Sequence, residues 1–274
     1  MQERTHIPNF DRLSIITAMV LLAYALTVFI HIPESTVSVQ LPGFLLEFKL
    51  NLVTIVSVLV AILAASGTEW LLSTHPRISG NNRIYHWLLP SLTAMVIGVP
   101  LGTMQPGTTW WVLFGLGGLL FSAVLTSEYI SVDSKDERYS LSVIGLTAVA
   151  LALLLILLIS LRGGGFRLFL VLAATIPATA LISARCLSLR LNGRWLLPEA
   201  GVVTLIVAQL AIGLYYLPLS PLRFGLLLIA VVYGLVSVTA ALEESHPKRS
   251  LWTEPSIMIV ALVLIAIIVR QPLH

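Results

Sequence analysis

Residues 140–161 read SLSVIGLTAVALALLLILLISL, a stretch of twenty-two residues without a charged side chain. A transmembrane helix needs about 20 mostly apolar residues to cross roughly 30 Å of hydrocarbon. Eight more segments pass the same test: 12–31, 50–72, 86–104, 109–130, 166–187, 197–217, 222–242 and 253–270. The sequence therefore predicts an all-α integral membrane protein with about nine transmembrane helices.

The composition excludes several classes of protein. Of the 274 residues, 57% are hydrophobic and only 11% are charged, whereas about a quarter are charged in soluble domains. Apolar residues run the whole length, which also excludes a soluble enzyme on a single anchor. One cysteine permits no internal disulfide and no multi-thiolate metal site, and a net charge of +3 is too small for a nucleic-acid surface. We expect no cofactor and no nucleic-acid partner.

The connectors between the predicted helices are short, so we expect a single transmembrane domain over residues 1–274. The longest gap is residues 32–49. There Thr36 to Leu41 alternate polar and apolar side chains, and Pro42-Gly43 is typical of a turn. This segment is predicted to form a small β-hairpin or an interfacial flap on the external side.

The distribution of Lys and Arg predicts the orientation. With the N-terminus inside, eleven of these residues fall in inner segments and five in outer segments. We expect a multi-pass protein of the cell (inner) membrane with a cytoplasmic N-terminus and an external C-terminus.

A spacing of about 55–58 residues recurs along the chain. Trp87-Leu-Leu-Pro90 and Trp195-Leu-Leu-Pro198 are identical and each opens a predicted helix, as Trp252 does again. Charged residues near helix ends are spaced by 59, 57 and 58 residues. We interpret the pattern as four helix-hairpin repeats plus one helix. The alternative is that hairpins of similar length produce the spacing by coincidence.

Those charged residues are Glu69, Glu128, Arg185 and Glu243, each about one turn before the inner end of a predicted helix. Ionisable residues inside a membrane are functional candidates, although side chains near an end can extend to the headgroups. The sequence therefore indicates either structural charges or an inner charge cluster in which Arg185 balances the carboxylates. We predict that at least one of the three Glu side chains lies within salt-bridge distance of Arg185.

Three other positions could form an intramembrane polar site. Gln209 lies in the middle of the seventh predicted helix, where a buried amide usually hydrogen-bonds to a neighbouring helix. Pro100 and Pro177 interrupt the third and sixth helices and should free backbone carbonyls there. Such breaks can mark transport sites, but no Asp or Asn accompanies them. No catalytic or metal-binding residue is predicted.

Two phrases, Gly67-Thr-Glu-Trp-Leu-Leu-Ser-Thr-His-Pro76 and Tyr85-His-Trp-Leu-Leu-Pro90, resemble those of an uncharacterised bacterial family of polytopic membrane proteins. The resemblance covers about the first half of the chain. It implies a similar multi-helix architecture and no particular activity.

The function that we expect is non-catalytic: an integral membrane subunit or scaffold that packs against lipids, other membrane-protein subunits or itself. The alternative is a transporter or channel for a small or lipid-like solute, using Gln209 and the two proline breaks. A third hypothesis is a membrane enzyme that modifies lipid headgroups, with Glu69, Glu128 and His75 as its acid–base groups.

Overall fold

Long apolar runs separated by polar, Gly and Pro residues become helices in the structure. A computed structural model describes residues 9–30, 35–41, 44–50, 52–73, 75, 84–133, 135–191, 193–244 and 256–265. Within those ranges a 3-10 helix spans Ile84–Trp87, and nine α-helices form: α1 (Phe10–Phe29), α2 (Leu52–Leu72), α3 (Leu88–Thr103), α4 (Thr108–Ile130), α5 (Tyr139–Gly163), α6 (Leu168–Arg190), α7 (Leu197–Tyr215), α8 (Pro221–Glu243) and α9 (Ser256–Ile265).

Seven of these helices are long and apolar enough to cross a membrane, namely all except α3 and α9. The chain is therefore a multi-pass membrane protein. α3 has 16 residues and the described part of α9 has 10, both shorter than a typical span. The nine-span count stays a prediction.

Several helix boundaries have a local cause. The Asn9 side chain accepts hydrogen bonds from the backbone N–H groups of Asp11 and Arg12, and the Ser220 side chain accepts one from Arg223 N–H. Both side chains satisfy donors that have no partner within the first helical turn. Pro221 then occupies the first position of α8, where its missing N–H costs nothing.

The segment predicted as a hairpin or flap contains two antiparallel strands. β1 (Ser35–Leu41) pairs with β2 (Phe44–Leu50), with Ser35 opposite Leu50 and Leu41 opposite Phe44. The predicted turn at Pro42-Gly43 lies outside the described residues, as do Trp252 and the segment 245–250.

The chain divides into two compact units, residues 1–146 and 147–274, and the boundary falls inside α5. In the first unit α1 packs on α2 and α4, α2 packs on α3, and α3 packs on α4. Tyr24 lies at the centre of this packing: its hydroxyl donates to Ala94 O on α3 (2.6 Å) and lies 3.4 Å from Ser57 Oγ on α2. Trp110 Nε1 on α4 donates to Leu101 O on α3 at 3.1 Å. These bonds join α1, α2, α3 and α4.

In the second unit α6, α7 and α8 pack on one another. Gly225 on α8 lets this helix approach α5, because a Cβ at that position would lie 2.8 Å from Leu155 Cδ1. In the last turn of α5, Arg162 Nη2 donates to Leu217 O at 3.0 Å, and the guanidinium covers the Tyr215 ring. Gly234 likewise lets α8 approach α9, because a Cβ added at Gly234 would clash with the Ile259 side chain.

Candidate functional site

A buried carboxylate–histidine pair lies at one end of the first unit. Glu128, in the last turn of α4, is fully buried, and its Oε2 lies 2.7 Å from Nδ1 of His86 in the 3-10 helix before α3. The Ser131 hydroxyl, which follows α4, lies 3.5 Å from the same carboxylate oxygen. A contact this short is typical of a charge-assisted hydrogen bond. It fixes the end of α4 to the start of α3.

Trp87, the residue after His86, contacts a second carboxylate. Trp87 Nε1 donates a hydrogen bond to Glu69 Oε2 in the last turn of α2 at 3.1 Å. Two consecutive side chains, His86 and Trp87, therefore contact the carboxylates at the ends of α4 and α2. We call Glu69, His86, Trp87 and Glu128 the end cluster of the first unit.

A buried histidine lies near this cluster. His75, which follows α2, packs edge-on against the Tyr129 ring with 4.8 Å between ring centroids. Tyr129 is the residue after Glu128, so the last turn of α4 contacts both histidines. Among the residues that the structure describes, no three or more His, Cys, Asp or Glu side chains are grouped so that they could hold a metal ion.

The corresponding end of the second unit carries a looser ion pair. Arg194 Nη2, just before Trp195, lies 3.7 Å from Glu243 Oε2 in the last turn of α8. The side chains of Arg194 and Glu243 are 65% and 34% exposed, so water weakens this attraction. In both units a basic residue directly before Trp-Leu-Leu-Pro contacts a carboxylate at the end of the second helix that follows it. His86 contacts Glu128 of α4, and Arg194 contacts Glu243 of α8.

Arg185 lies five residues before the end of α6 and is buried, with its Nη1 at 3.4 Å from Ser188 Oγ. The predicted pairing of Arg185 with one of the three Glu residues stays a prediction. Sequence reasoning does not identify His86 or the hydrogen-bond donor Trp87 as site residues. The signal that could have found them is the basic residue before each Trp-Leu-Leu-Pro.

The predicted intramembrane polar residues lie in both units, Pro100 in the first and Pro177 and Gln209 in the second. Gln209 is exposed on α7, near the middle of the helix. Because α7 is apolar on every side, its sequence does not tell which face packs inward. Pro177 is also exposed on α6, and Pro100 lies inside α3 of the first unit.

A stripe of buried hydroxyls runs along α6 on either side of Pro177. The side chains of Thr175, Thr179 and Ser183 are spaced by one turn and are buried, and their oxygens have no hydrogen-bond partner among the described residues. Threonine and serine in helices usually bond to the carbonyl four residues earlier. These three hydroxyls are thus available to a polar group or a water molecule.

Comparison with known proteins supplies a family and no activity. No curated protein and no solved structure matches the chain. A protein-family model matches residues 32–269, which include everything from the β-hairpin to α9. The chain therefore belongs to the family DUF5656, whose description is a protein of unknown function.

Proposed function

We propose that this protein is a non-catalytic integral membrane subunit or scaffold, and that α7 packs against a helix of another membrane-protein subunit or of a second copy. The observation that carries the proposal is the exposure of Gln209 near the middle of α7. Lipid chains offer no hydrogen-bond partner, so an amide that faces hydrocarbon is costly. A neighbouring helix with a polar group removes this cost.

The surroundings of Gln209 support close helix packing. Gly201, Leu205, Gln209 and Gly213 follow one another at intervals of four residues and form one stripe along α7. All four are exposed, and a Cβ added to either glycine would meet nothing within 4 Å. Small residues let two helix backbones approach, and an amide between them can hydrogen-bond across the interface.

The charged residues fit a structural role. In the first unit the Glu69 and Glu128 carboxylates join helix ends through Trp87 and His86. A membrane enzyme acting on lipid headgroups through Glu69, Glu128 and His75 therefore has the weakest support, because both carboxylates already serve the packing of α2, α3 and α4.

Copurification tests the proposal. Tagged wild-type protein, extracted from native membranes in a mild detergent, is expected to carry a stoichiometric partner or a second copy. Gln209→Leu should weaken this association about three- to thirty-fold, the range for one interhelical hydrogen bond of 0.6–2 kcal/mol. Val202→Leu, at an exposed α7 position outside the stripe, is the control and should leave it unchanged. A wild-type monomer, or full association of Gln209→Leu, would overturn the proposal.

A transporter or channel for a small or lipid-like solute is the second candidate, and the hydroxyl stripe on α6 favours it. Partnerless hydroxyls on either side of a proline inside a helix can exchange hydrogen bonds with a passing solute. Replacing Thr175 and Thr179 with Val and Ser183 with Ala in proteoliposomes would then abolish solute flux, while association through α7 would persist. An equal flux in this variant and the wild type would exclude the stripe as a path.

We propose that the hairpins α3–α4 and α7–α8 are copies of one repeat, within an arrangement of four hairpins plus one helix. The matching contacts His86–Glu128 and Arg194–Glu243 support this proposal, because each joins the residue before Trp-Leu-Leu-Pro to the end of its own hairpin.

We also propose the orientation in the cell (inner) membrane given by the Lys and Arg distribution, with the N-terminus cytoplasmic and the C-terminus external.

A further inference from the structure

An apolar groove lies between α1 and α2. Its volume is about 190 Å³, and its lining comprises Ile16 and Met19 of α1 with Leu63, Ser66, Gly67 and Trp70 of α2. Gly67 allows the two helices to touch, because a Cβ there would lie 2.7 Å from Ile16 Cγ2. Met19 and Trp70 are 48% and 42% exposed, so the groove is open along one side.

Arg12 lies at the Trp70 end of this groove. Its guanidinium carbon is 4.7 Å from the centre of the Trp70 ring. Nη1 donates to Trp70 O at 2.7 Å and to Ser73 Oγ at 3.1 Å, which holds the side chain in place. Nε and Nη2 donate no hydrogen bond to the residues that the structure describes. A fixed guanidinium with spare N–H groups is suited to bind a phosphate oxygen.

The positions of the charge and the groove match the shape of a phospholipid. Trp side chains are enriched at the depth of the headgroups, so Trp70 marks the level at which Arg12 meets a phosphate. From there the groove extends along α1 to Met19, seven residues beyond Arg12, or about 10 Å at 1.5 Å per residue. The neighbouring carboxylate of Glu69 accepts a hydrogen bond from Trp87, at the start of α3.

We propose that this groove holds one acyl chain of an anionic glycerophospholipid, whose phosphate binds Arg12. The charge of Arg12 selects an anionic headgroup, and Ile16, Met19 and Leu63 contact the chain. The site does not depend on the partner proposed for α7, so either proposal can fail while the other holds.

Native mass spectrometry of the purified full-length chain tests the site, with phosphatidylglycerol and phosphatidylcholine titrated separately. Arg12→Gln is expected to lower the affinity for the first phosphatidylglycerol about five-fold, the effect of one basic residue near a membrane surface. The affinity for phosphatidylcholine should fall less, because its choline cation already offsets the phosphate charge, so the preference for phosphatidylglycerol should shrink. Arg12→Lys keeps the charge and should retain the preference. Arg138→Gln, an exposed arginine just before α5 that does not line this groove, is the matched control.

A second variant tests the groove itself. Ser66→Leu fills the space with an apolar side chain at an exposed position of α2, so the helix should fold as before. It is expected to weaken the binding of both lipids. The proposal is wrong if Arg12→Gln binds phosphatidylglycerol like the wild type, or if Ser66→Leu changes the oligomeric state instead of lipid binding, since the groove would then hold a second copy of the chain.

Discussion

His86 Nδ1 lies 2.7 Å from Glu128 Oε2, and the Glu128 side chain is completely buried at the end of α4. Arg194 and Glu243 form the matching contact in the second unit, at 3.7 Å and with both side chains partly exposed. The two pairs occupy the same place relative to Trp-Leu-Leu-Pro but differ in burial. Removal of one partner should therefore have unequal effects on stability.

We expect Glu128→Ala to lower the free energy of unfolding by about 1–3 kcal/mol, because it removes the buried carboxylate that hydrogen-bonds to His86. Glu243→Ala, the control in the exposed pair, should cost about 0–1 kcal/mol. Thermal or denaturant unfolding in detergent, followed by tryptophan fluorescence, measures both. Equal losses in the two variants would contradict the structural role given to the buried pair.

Gly98 of α3 packs directly against Tyr24 and Ser57, whereas Gly115 of α4 has open space around it. Gly98→Leu should therefore separate α3 from α1 and α2 and cost several kcal/mol, or prevent folding altogether, because overpacking forces the backbones apart. Gly115→Leu is expected to be tolerated. Size-exclusion chromatography and the unfolding midpoint compare the two variants. If the Gly98→Leu protein folds normally, α3 does not pack closely against Tyr24 and Ser57.

Arg185 is buried near the end of α6, so its charge needs compensation. We predict that it pairs with at least one of Glu69, Glu128 and Glu243, and that Arg185→Ala costs about 3–5 kcal/mol while Arg185→Lys costs less. Double-mutant cycles between Arg185 and each Glu identify the partner as the one with a coupling energy well above zero. Three additive cycles would refute the pairing.

The predicted orientation is tested with topology reporters in whole cells. A reporter fused after His274 should be external, and one inserted in the loop at residues 134–138 should be cytoplasmic. If both reporters lie on the same side, the number of spans between them is even. That result would exclude the nine-helix topology, which has five spans between the two positions.

The sequence predicted the helices well because each needs only a local apolar run. The uncharged stretch 140–161 corresponds to α5 (Tyr139–Gly163), and Asn9 and Ser220 supply local caps for α1 and α8. The predicted start of the third helix was less accurate, since residues 84–87 form a 3-10 helix before α3 begins at Leu88.

The contacts of the site could be predicted only in part. The ends of α2 and α4 were identified by Glu69 and Glu128, but their partners His86 and Trp87 depend on which helices are neighbours in space. The exposure of Gln209 has a similar cause: an α7 with apolar residues on all sides gives no sign of its inward face. Helix existence is a local property, whereas partner choice and orientation are properties of the packed unit.

Photo-crosslinking in native membranes tests the central claim, that the α7 stripe is a helix–helix interface. A photoreactive amino acid at position 205 lies on the stripe, one turn from Gln209, and the same probe at position 119 lies on an exposed face of α4 as the control. We predict a protein adduct of a single mass from position 205, absent from position 119 and clearly reduced in yield when Gln209→Leu is added. Adducts with lipid alone at position 205, or a protein adduct whose yield is unchanged in Gln209→Leu, would contradict the α7 interface.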